Sequence, residues 1–154
     1  MPTLPWTTPN PPSTGLTGAL VMASRLEVRS LKDVPKFFLR SLSAWKQVRG
    51  AKGALGASLI ADPLRRTFWT LSAWESRELL YDYAKTEPHK SIMNGLRPTM
   101  RRSDFTFWEV PVGELPITWA DAKARLAQRM AEQDAQDAGQ TGSGPSGEPG
   151  PSAS

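Results

Sequence analysis

The sequence predicts a single α+β domain built around one antiparallel sheet. The chain has 154 residues, which suits one domain better than two. Four segments have the alternating or continuously apolar pattern of strands, and two groups of apolar residues between them have helical spacing. The predicted order is strand, helix, strand, strand, helix, strand, with one more helical segment at the end.

The first strand and the first helix are predicted from two different periods. The segment from Gly18 to Ser30 alternates along its length, and its later half is apolar on one side and charged on the other. Asp33 suits the N-cap of a helix that would end at Gly50. Apolar residues then recur at steps of four, three and three, at Phe38, Leu42, Trp45 and Val48. That spacing predicts one helix face packed on a core.

Two successive apolar segments predict a hairpin. Residues 54–61 are small and apolar, and Asp62 with Pro63 marks the turn. Residues 67–74 follow with apolar side chains on both faces, as in a strand that is covered on both sides. The sheet is therefore expected to need cover on both of its faces.

The second helical region is expected in two parts. It begins at Glu75, but Pro88 interrupts the pattern, so a break is predicted near Thr86. The helix would resume at His89 with apolar residues on one stripe. A last strand is predicted over residues 103–110, where aromatic side chains alternate with polar ones.

Both ends of the chain are predicted to be disordered tails around a domain that spans residues 16–133. Residues 1–15 are rich in proline around a lone Trp6. Residues 134–154 contain no aromatic residue and no aliphatic residue larger than alanine, so they cannot bury enough surface to offset their ordering entropy. Within the domain, residues 118–133 favour a C-terminal helix that lies on the surface.

The predicted order of strands and helices is the ferredoxin-like βαββαβ pattern. Its helices cover one face of the sheet and leave the other face bare. Since the strands carry apolar side chains on both faces, the bare face needs a partner. A homodimer that packs sheet against sheet would supply it, and a layer from the C-terminal helix is the alternative.

Composition and missing motifs exclude several classes of function. The chain has no cysteine, so disulfides, thiolate metal sites and cysteine nucleophiles are excluded. It lacks the roughly 18 consecutive apolar residues of a membrane span and a secretory signal, which predicts a cytoplasmic protein. The net charge is +4, but the basic residues are scattered, and nucleic-acid binding is not predicted. The sequence also lacks a glycine-rich phosphate loop and a nucleophile elbow, which disfavours nucleotide-dependent and hydrolytic chemistry.

Two stretches and one histidine resemble a known superfamily. The run from Gly53 to Pro63, the run from Phe68 to Ser76 that ends in Trp-Glu-Ser, and His89 at a helix start resemble antibiotic-biosynthesis-monooxygenase-like dimeric α/β barrel proteins. The resemblance covers residues 19–111 and is closest to the uncharacterised branch related to spheroidene monooxygenase. It implies a homodimer whose sheets form a shared barrel, with a pocket between each sheet and its own helices.

The resemblance implies several possible chemistries, because the superfamily includes cofactor-independent oxygenases, haem degraders, haem-containing oxygenases and isomerases. In haem degraders the corresponding helix carries a tryptophan and the first strand carries an asparagine. This chain has Asp82 and Tyr83 on that helix and no asparagine on that strand, which argues against haem degradation of that type. The cofactor is expected to be either none or a bound haem.

Five side chains are the candidates for the site. His89 is the only imidazole in the chain, so a near-neutral base or an imidazole ligand to haem iron must be this residue, although it could simply bond the preceding turn. Trp45 and Trp69 are the candidate walls of the pocket. Tyr83 could donate to a substrate carbonyl or phenol. Arg97 could bind a carboxylate or a haem propionate.

The function that these residues favour is a small monooxygenase for an apolar or aromatic metabolite, such as a polyketide or a carotenoid. In the version without a cofactor, His89 removes a proton from the substrate and the resulting carbanion reduces oxygen. The rival hypothesis is a non-catalytic dimeric ligand-binding protein of the same fold. An isomerase or cyclase is the third.

Overall fold

The computed structural model describes residues 3–87 and 89–141, and its five strands form one antiparallel sheet in the order β1-β3-β4-β2-β5. The four strands from β2 to β5 have the predicted ferredoxin-like arrangement, and β1 is added at one edge. The strands are β1 (Thr3–Thr7), β2 (Gly18–Val28), β3 (Ala54–Asp62), β4 (Thr67–Trp74) and β5 (Met100–Pro111), and the helices are α1 (Val34–Val48), α2 (Arg77–Lys85), α3 (His89–Leu96) and α4 (Trp119–Thr141).

Each face of the sheet packs into its own core, because successive side chains of a strand point to opposite faces. On one face Leu26 and Phe68 are buried beneath α1 and α3, and α2 covers the neighbouring part. On the other face Val21 and Leu71 are buried together with Leu126 of α4. The prediction that the strands are covered on both sides is confirmed.

Helix α1 buries a face that is rotated slightly from the predicted one. Phe37 is fully buried, and its ring centroid lies 4.6 Å from that of Phe68. Phe38, which the sequence placed on the core face, is only partly buried at 6.4 Å from the same ring. The helix already buries Val34 in its first turn, so helical spacing carries the buried line through Phe37 to Val48.

Helix α4 covers the sheet face for which a second copy was the expected cover and the C-terminal helix the alternative. Ala122 and Leu126 lie four residues apart and have no exposed surface. The predicted C-terminal helix is confirmed, and it lies on the surface with one side buried, but it continues past Gln133 to Thr141. Because α4 contains few large apolar residues, its buried side was only weakly marked in the sequence. The homodimer stays a prediction.

Although α4 has 23 residues, neither it nor another described helix is long and apolar enough to cross a membrane.

The N-terminal residues also belong to the sheet. Strand β1 pairs antiparallel with the outer edge of β3. The indole of Trp6 packs so tightly on Gly56 that a Cβ at that position would overlap it. The expectation of a disordered tail over residues 1–15 is therefore wrong for these residues. The order of this segment depends on a residue far along the chain, since Gly56 leaves room for the ring of Trp6.

Side-chain hydrogen bonds fix the segment that follows β1. The amide of Asn10 donates to the carbonyl oxygens of Ala51 and Ala54 at 2.7 and 3.1 Å. The backbone N–H of Ser13 donates to the carboxylate of Glu75 at 2.7 Å, and hydrogen bonds from Ser13 lower the pKa of that carboxyl group. Residues 142–154 of the predicted C-terminal tail lie outside the described residues.

Replacing Leu126 with alanine should lower the free energy of unfolding by about 2–5 kcal/mol, because it leaves a void between α4 and the sheet. The same substitution at Leu64, which is 90% exposed, should change it by less than about 0.5 kcal/mol. Urea unfolding followed by tryptophan fluorescence compares the two variants. Equal stability of Leu126→Ala and Leu64→Ala would show that α4 does not pack on the sheet in this way.

Candidate functional site

A cavity of about 500 Å³ lies between the sheet and helices α1, α2 and α3. This volume is within the range of small-molecule sites. The cavity exists because short side chains of β2, β3 and β4 face the helices at its centre, where larger ones would fill the space. Those short side chains are Ser24, Ala57, Thr70 and Ser72. Most of the remaining wall is apolar.

The exposed lining residues lie beside the edge strand β5, which indicates that the cavity opens to solvent there. Phe105 and Phe107 lie on the helix side of β5, since they pair with Ser24 and Met22, yet they remain 40% and 39% exposed. Tyr81 of α2 also lines the cavity and is 45% exposed. The opening is therefore rimmed by aromatic side chains, which suits the entry of an apolar molecule.

His89 is the first residue of α3 and is partly buried in the cavity wall. Its Nδ1 lies 3.1 Å from the carbonyl oxygen of Ala84. Because a carbonyl oxygen only accepts, Nδ1 carries the proton and Nε2 keeps its lone pair. Burial lowers the pKa of His89 below its ordinary value of 6.5, and the bond to Ala84 opposes that shift. The imidazole is therefore neutral at pH 7, with Nε2 able to accept a proton.

Tyr83 holds the imidazole by packing. Its ring centroid lies 4.6 Å from that of His89 and 5.1 Å from that of Trp74. Its hydroxyl donates to the carbonyl oxygen of Ala44 at 2.8 Å, which ties α2 to α1. Burial raises the pKa of Tyr83. Since the hydroxyl hydrogen is used within the protein, this geometry favours a positioning role over donation to a substrate.

Trp45 lines the cavity from α1 and was predicted to do so. The guanidinium of Arg49 lies 5.2 Å from the centroid of its ring. The indole N–H of Trp45 is buried and has no acceptor among the described residues. A buried donor without a partner costs about 1–3 kcal/mol, so a ligand acceptor or a water at this nitrogen would be stabilising.

A pair of hydroxyl groups on the cavity floor was not predicted. Ser24 and Thr70 are cross-strand partners on β2 and β4, and their hydroxyl oxygens are hydrogen-bonded to one another. One hydroxyl donates to the other, so the acceptor still has its own hydrogen for a ligand. The signal in the sequence was two short polar residues within apolar strands, but their pairing depends on the register.

Four of the five predicted site residues line this one cavity, namely Trp45, Tyr83, His89 and Arg97. Trp69 does not, because side chains alternate along β4 and Trp69 points to the face that α4 covers. The guanidinium of Arg25 lies 5.5 Å and the ammonium of Lys123 5.0 Å from the centroid of its ring. The expectation that Trp69 faces the space between sheet and helices is therefore wrong.

The described residues contain no group of three or more His, Asp or Glu side chains placed to hold a metal ion. The polar groups that line the cavity include a single imidazole, hydroxyl groups, the indole N–H of Trp45, an amide and cationic side chains. This set can move a proton and donate hydrogen bonds to a developing oxyanion.

Comparison with known proteins gives a family and a fold. A family model described as "Domain of unknown function (DUF3291)" matches residues 33–141. A search of curated proteins gave no match.

Several solved structures have a similar fold at low sequence identity. SnoaB of Streptomyces nogalater, a cofactor-independent oxygenase, is 11% identical with a TM-score of 0.52, over 64% of this chain and 98% of its own. The protein PA3566 of Pseudomonas aeruginosa is 13% identical with a TM-score of 0.55, over 60% and 94%. A protein named antibiotic biosynthesis monooxygenase is 15% identical with a TM-score of 0.51, over 59% and 95%. At these identities the likeness shows the monooxygenase-like fold alone.

The imidazole of His89 should titrate with a pKa below 6.5 and should carry its neutral proton on Nδ1, because burial disfavours the charged form and Ala84 accepts from that nitrogen. Nuclear magnetic resonance of ¹⁵N-labelled imidazole measures both properties without ambiguity, since the chain has one histidine. A pKa at or above 6.5, or a proton on Nε2, would contradict this description.

The same pKa shift predicts how stability depends on pH. Between the lowered pKa of the folded protein and 6.5, the unfolded chain binds more protons than the folded one. The free energy of unfolding should therefore fall as the pH is lowered from 6.5 through the folded pKa. Urea unfolding at several pH values tests this, and His89→Asn should lack that component of the pH dependence.

Proposed function

This chain belongs to the DUF3291 family, and we propose that it is a small oxygenase that acts on an apolar or aromatic metabolite in the cavity between its sheet and helices α1–α3. The observation that carries the proposal is a neutral imidazole with an open Nε2 in the wall of a largely apolar cavity. The monooxygenase-like fold supports the reaction type, and SnoaB, which has this fold, is a cofactor-independent oxygenase.

In the version without a cofactor, the substrate supplies the electrons. Nε2 of His89 accepts a proton from a phenol, or from a carbon next to a carbonyl group, and leaves an electron-rich anion. The anion transfers electrons to O₂, and a bond forms between the substrate carbon and oxygen. The O–O bond then breaks, one oxygen leaves as water, and the other stays on the carbon as a new carbonyl group. An anthrone and O₂ thus give an anthraquinone and water.

The protein's part in this sequence is to hold and move protons in a dry site. The substrate anion needs a hydrogen-bond donor at its oxygen, and the spare hydroxyl hydrogen of the Ser24–Thr70 pair is one such donor on the cavity floor. Tyr83 keeps the ring of His89 in place by packing against it at a tilt. The apolar walls strengthen these interactions because little water screens them.

A bound haem is the other version of the same proposal. The residues fit it in two respects, since Nε2 of His89 has no partner among the described residues and Arg97 is exposed in the cavity lining. His89 would hold the iron through Nε2, and Arg97 would pair with a propionate. Haem would supply an iron that binds oxygen.

A non-catalytic ligand-binding protein is the second candidate. It is favoured by the polar groups of the wall that already have partners within the protein. The hydroxyl of Tyr83 bonds to Ala44, and the hydroxyl of Ser72 accepts from the indole N–H of Trp74 at 2.9 Å. A binding protein needs an apolar cavity but does not need a base.

Replacing His89 with asparagine should lower the rate of oxygen uptake with anthrone or a related phenol by about 10²–10⁴-fold, because the side chain can still donate to Ala84 but cannot act as a base. An oxygen electrode measures the rate, with the protein-free rate subtracted. Leu64→Ala, at an exposed position, should keep the full rate.

The outcomes separate the candidates. Coloured protein with a Soret band that His89→Ala abolishes identifies the haem version. Colourless protein that consumes oxygen only when His89 is present identifies the version without a cofactor. Colourless protein that binds apolar molecules but shows no oxygen uptake across the panel of phenols and quinols is a ligand-binding protein, and the oxygenase proposal is then wrong.

A further inference from the structure

The rim of the cavity on α3 carries a line of polar side chains. Lys90 and Asn94 of α3 and Arg97, the residue directly after its end, are spaced by four and three residues, so they follow one side of this segment, and all three are exposed and line the cavity. The neighbouring line, which includes Ile92 and Leu96, is buried in the core. The helix therefore presents an apolar line inward and a cationic line at the edge of the cavity.

The cations of this line are available to a ligand. The side chains of Lys90 and Arg97 make no hydrogen bond or ion pair with another residue that the structure describes. Lys85, at the end of α2, is a third exposed cation in the lining. The described lining residues include no aspartate or glutamate, so no carboxylate in the wall competes for these cations.

We propose that the ligand of this cavity is an apolar molecule that bears a carboxylate, and that Lys90, Asn94 and Arg97 bind the carboxylate at the rim while the apolar body lies inside. This inference rests on the proposed function for the cavity itself and adds the chemical class of what enters it.

The chemistry of the three side chains matches a carboxylate. The guanidinium of Arg97 can donate two parallel N–H bonds to the two oxygens, the ammonium of Lys90 adds a positive charge, and the amide of Asn94 lies between them along the helix. Lys90 and Arg97 are two turns apart, about 10 Å along the axis, a gap that two long side chains can close. The apolar walls bind the apolar body of the ligand and disfavour burial of its carboxylate. The ligand is therefore oriented with its carboxylate at the rim.

Two ligands of the same shape and different charge test the proposal. The probes are 2-naphthoate and its neutral amide, 2-naphthamide, titrated by calorimetry into the full chain at pH 7.5 and low salt. Naphthoate should bind about fivefold to tenfold more tightly, as expected for two or three exposed charge contacts. The ratio should shrink toward one in 0.5 M NaCl, because salt screens charges at the rim.

A pair of double variants locates the effect. Lys90→Gln with Arg97→Gln should bring the two affinities together while leaving the affinity for naphthamide unchanged. Lys32→Gln with Arg129→Gln removes the same charge at exposed positions outside the cavity lining and should keep the preference for naphthoate.

The possible failures are distinct. Equal binding of the two probes to the unaltered protein, or a preference that survives in the Lys90/Arg97 variant, overturns the carboxylate site and leaves the cavity proposal in place. Binding of neither probe overturns the carboxylate site and also counts against an apolar-ligand function. Loss of oxygen uptake in His89→Asn with no preference for naphthoate would separate the reaction from this inference.

Discussion

The alternation of apolar side chains on both faces of one sheet is the constraint on which the rest of the structure depends. Because both faces must be kept from water, helices α1–α3 cover one and α4 covers the other. Helices α1–α3 lie over strand positions with short side chains, and a cavity remains between the helices and the sheet. The α4 side is packed by Ala122 and Leu126, so a second copy that packs sheet against sheet must meet α4 or displace it.

The sequence predicted features that repeat along the chain and missed those that depend on distant partners. Periodicity placed four strands and the helices between them in the right order. The strand at the N-terminus depends on Gly56, some fifty residues away, and no local pattern marks that contact. Likewise, a one-residue rotation of α1 that buries Phe37 is smaller than an apolar stripe can resolve.

The candidate site was partly predictable for the same reason. His89 was identified because no other imidazole exists, and Trp45 because it lies on the core face of a helix. Trp69 was misplaced because a strand that is apolar on both faces gives no sign of which face meets which helix. The Ser24–Thr70 pair needed the register of β2 against β4, which the sequence does not contain.

The proposed function requires that ligands enter the helix side of the sheet and not the side covered by α4. The indole N–H resonances of the six tryptophans test it during a titration with neutral 2-naphthamide, each assigned by substitution with phenylalanine. We expect saturable shifts at Trp45 and Trp74, which line the cavity, and little change at Trp69 and Trp108, which pack on the opposite face. Shifts at Trp69 and Trp108 with Trp45 unchanged would contradict it.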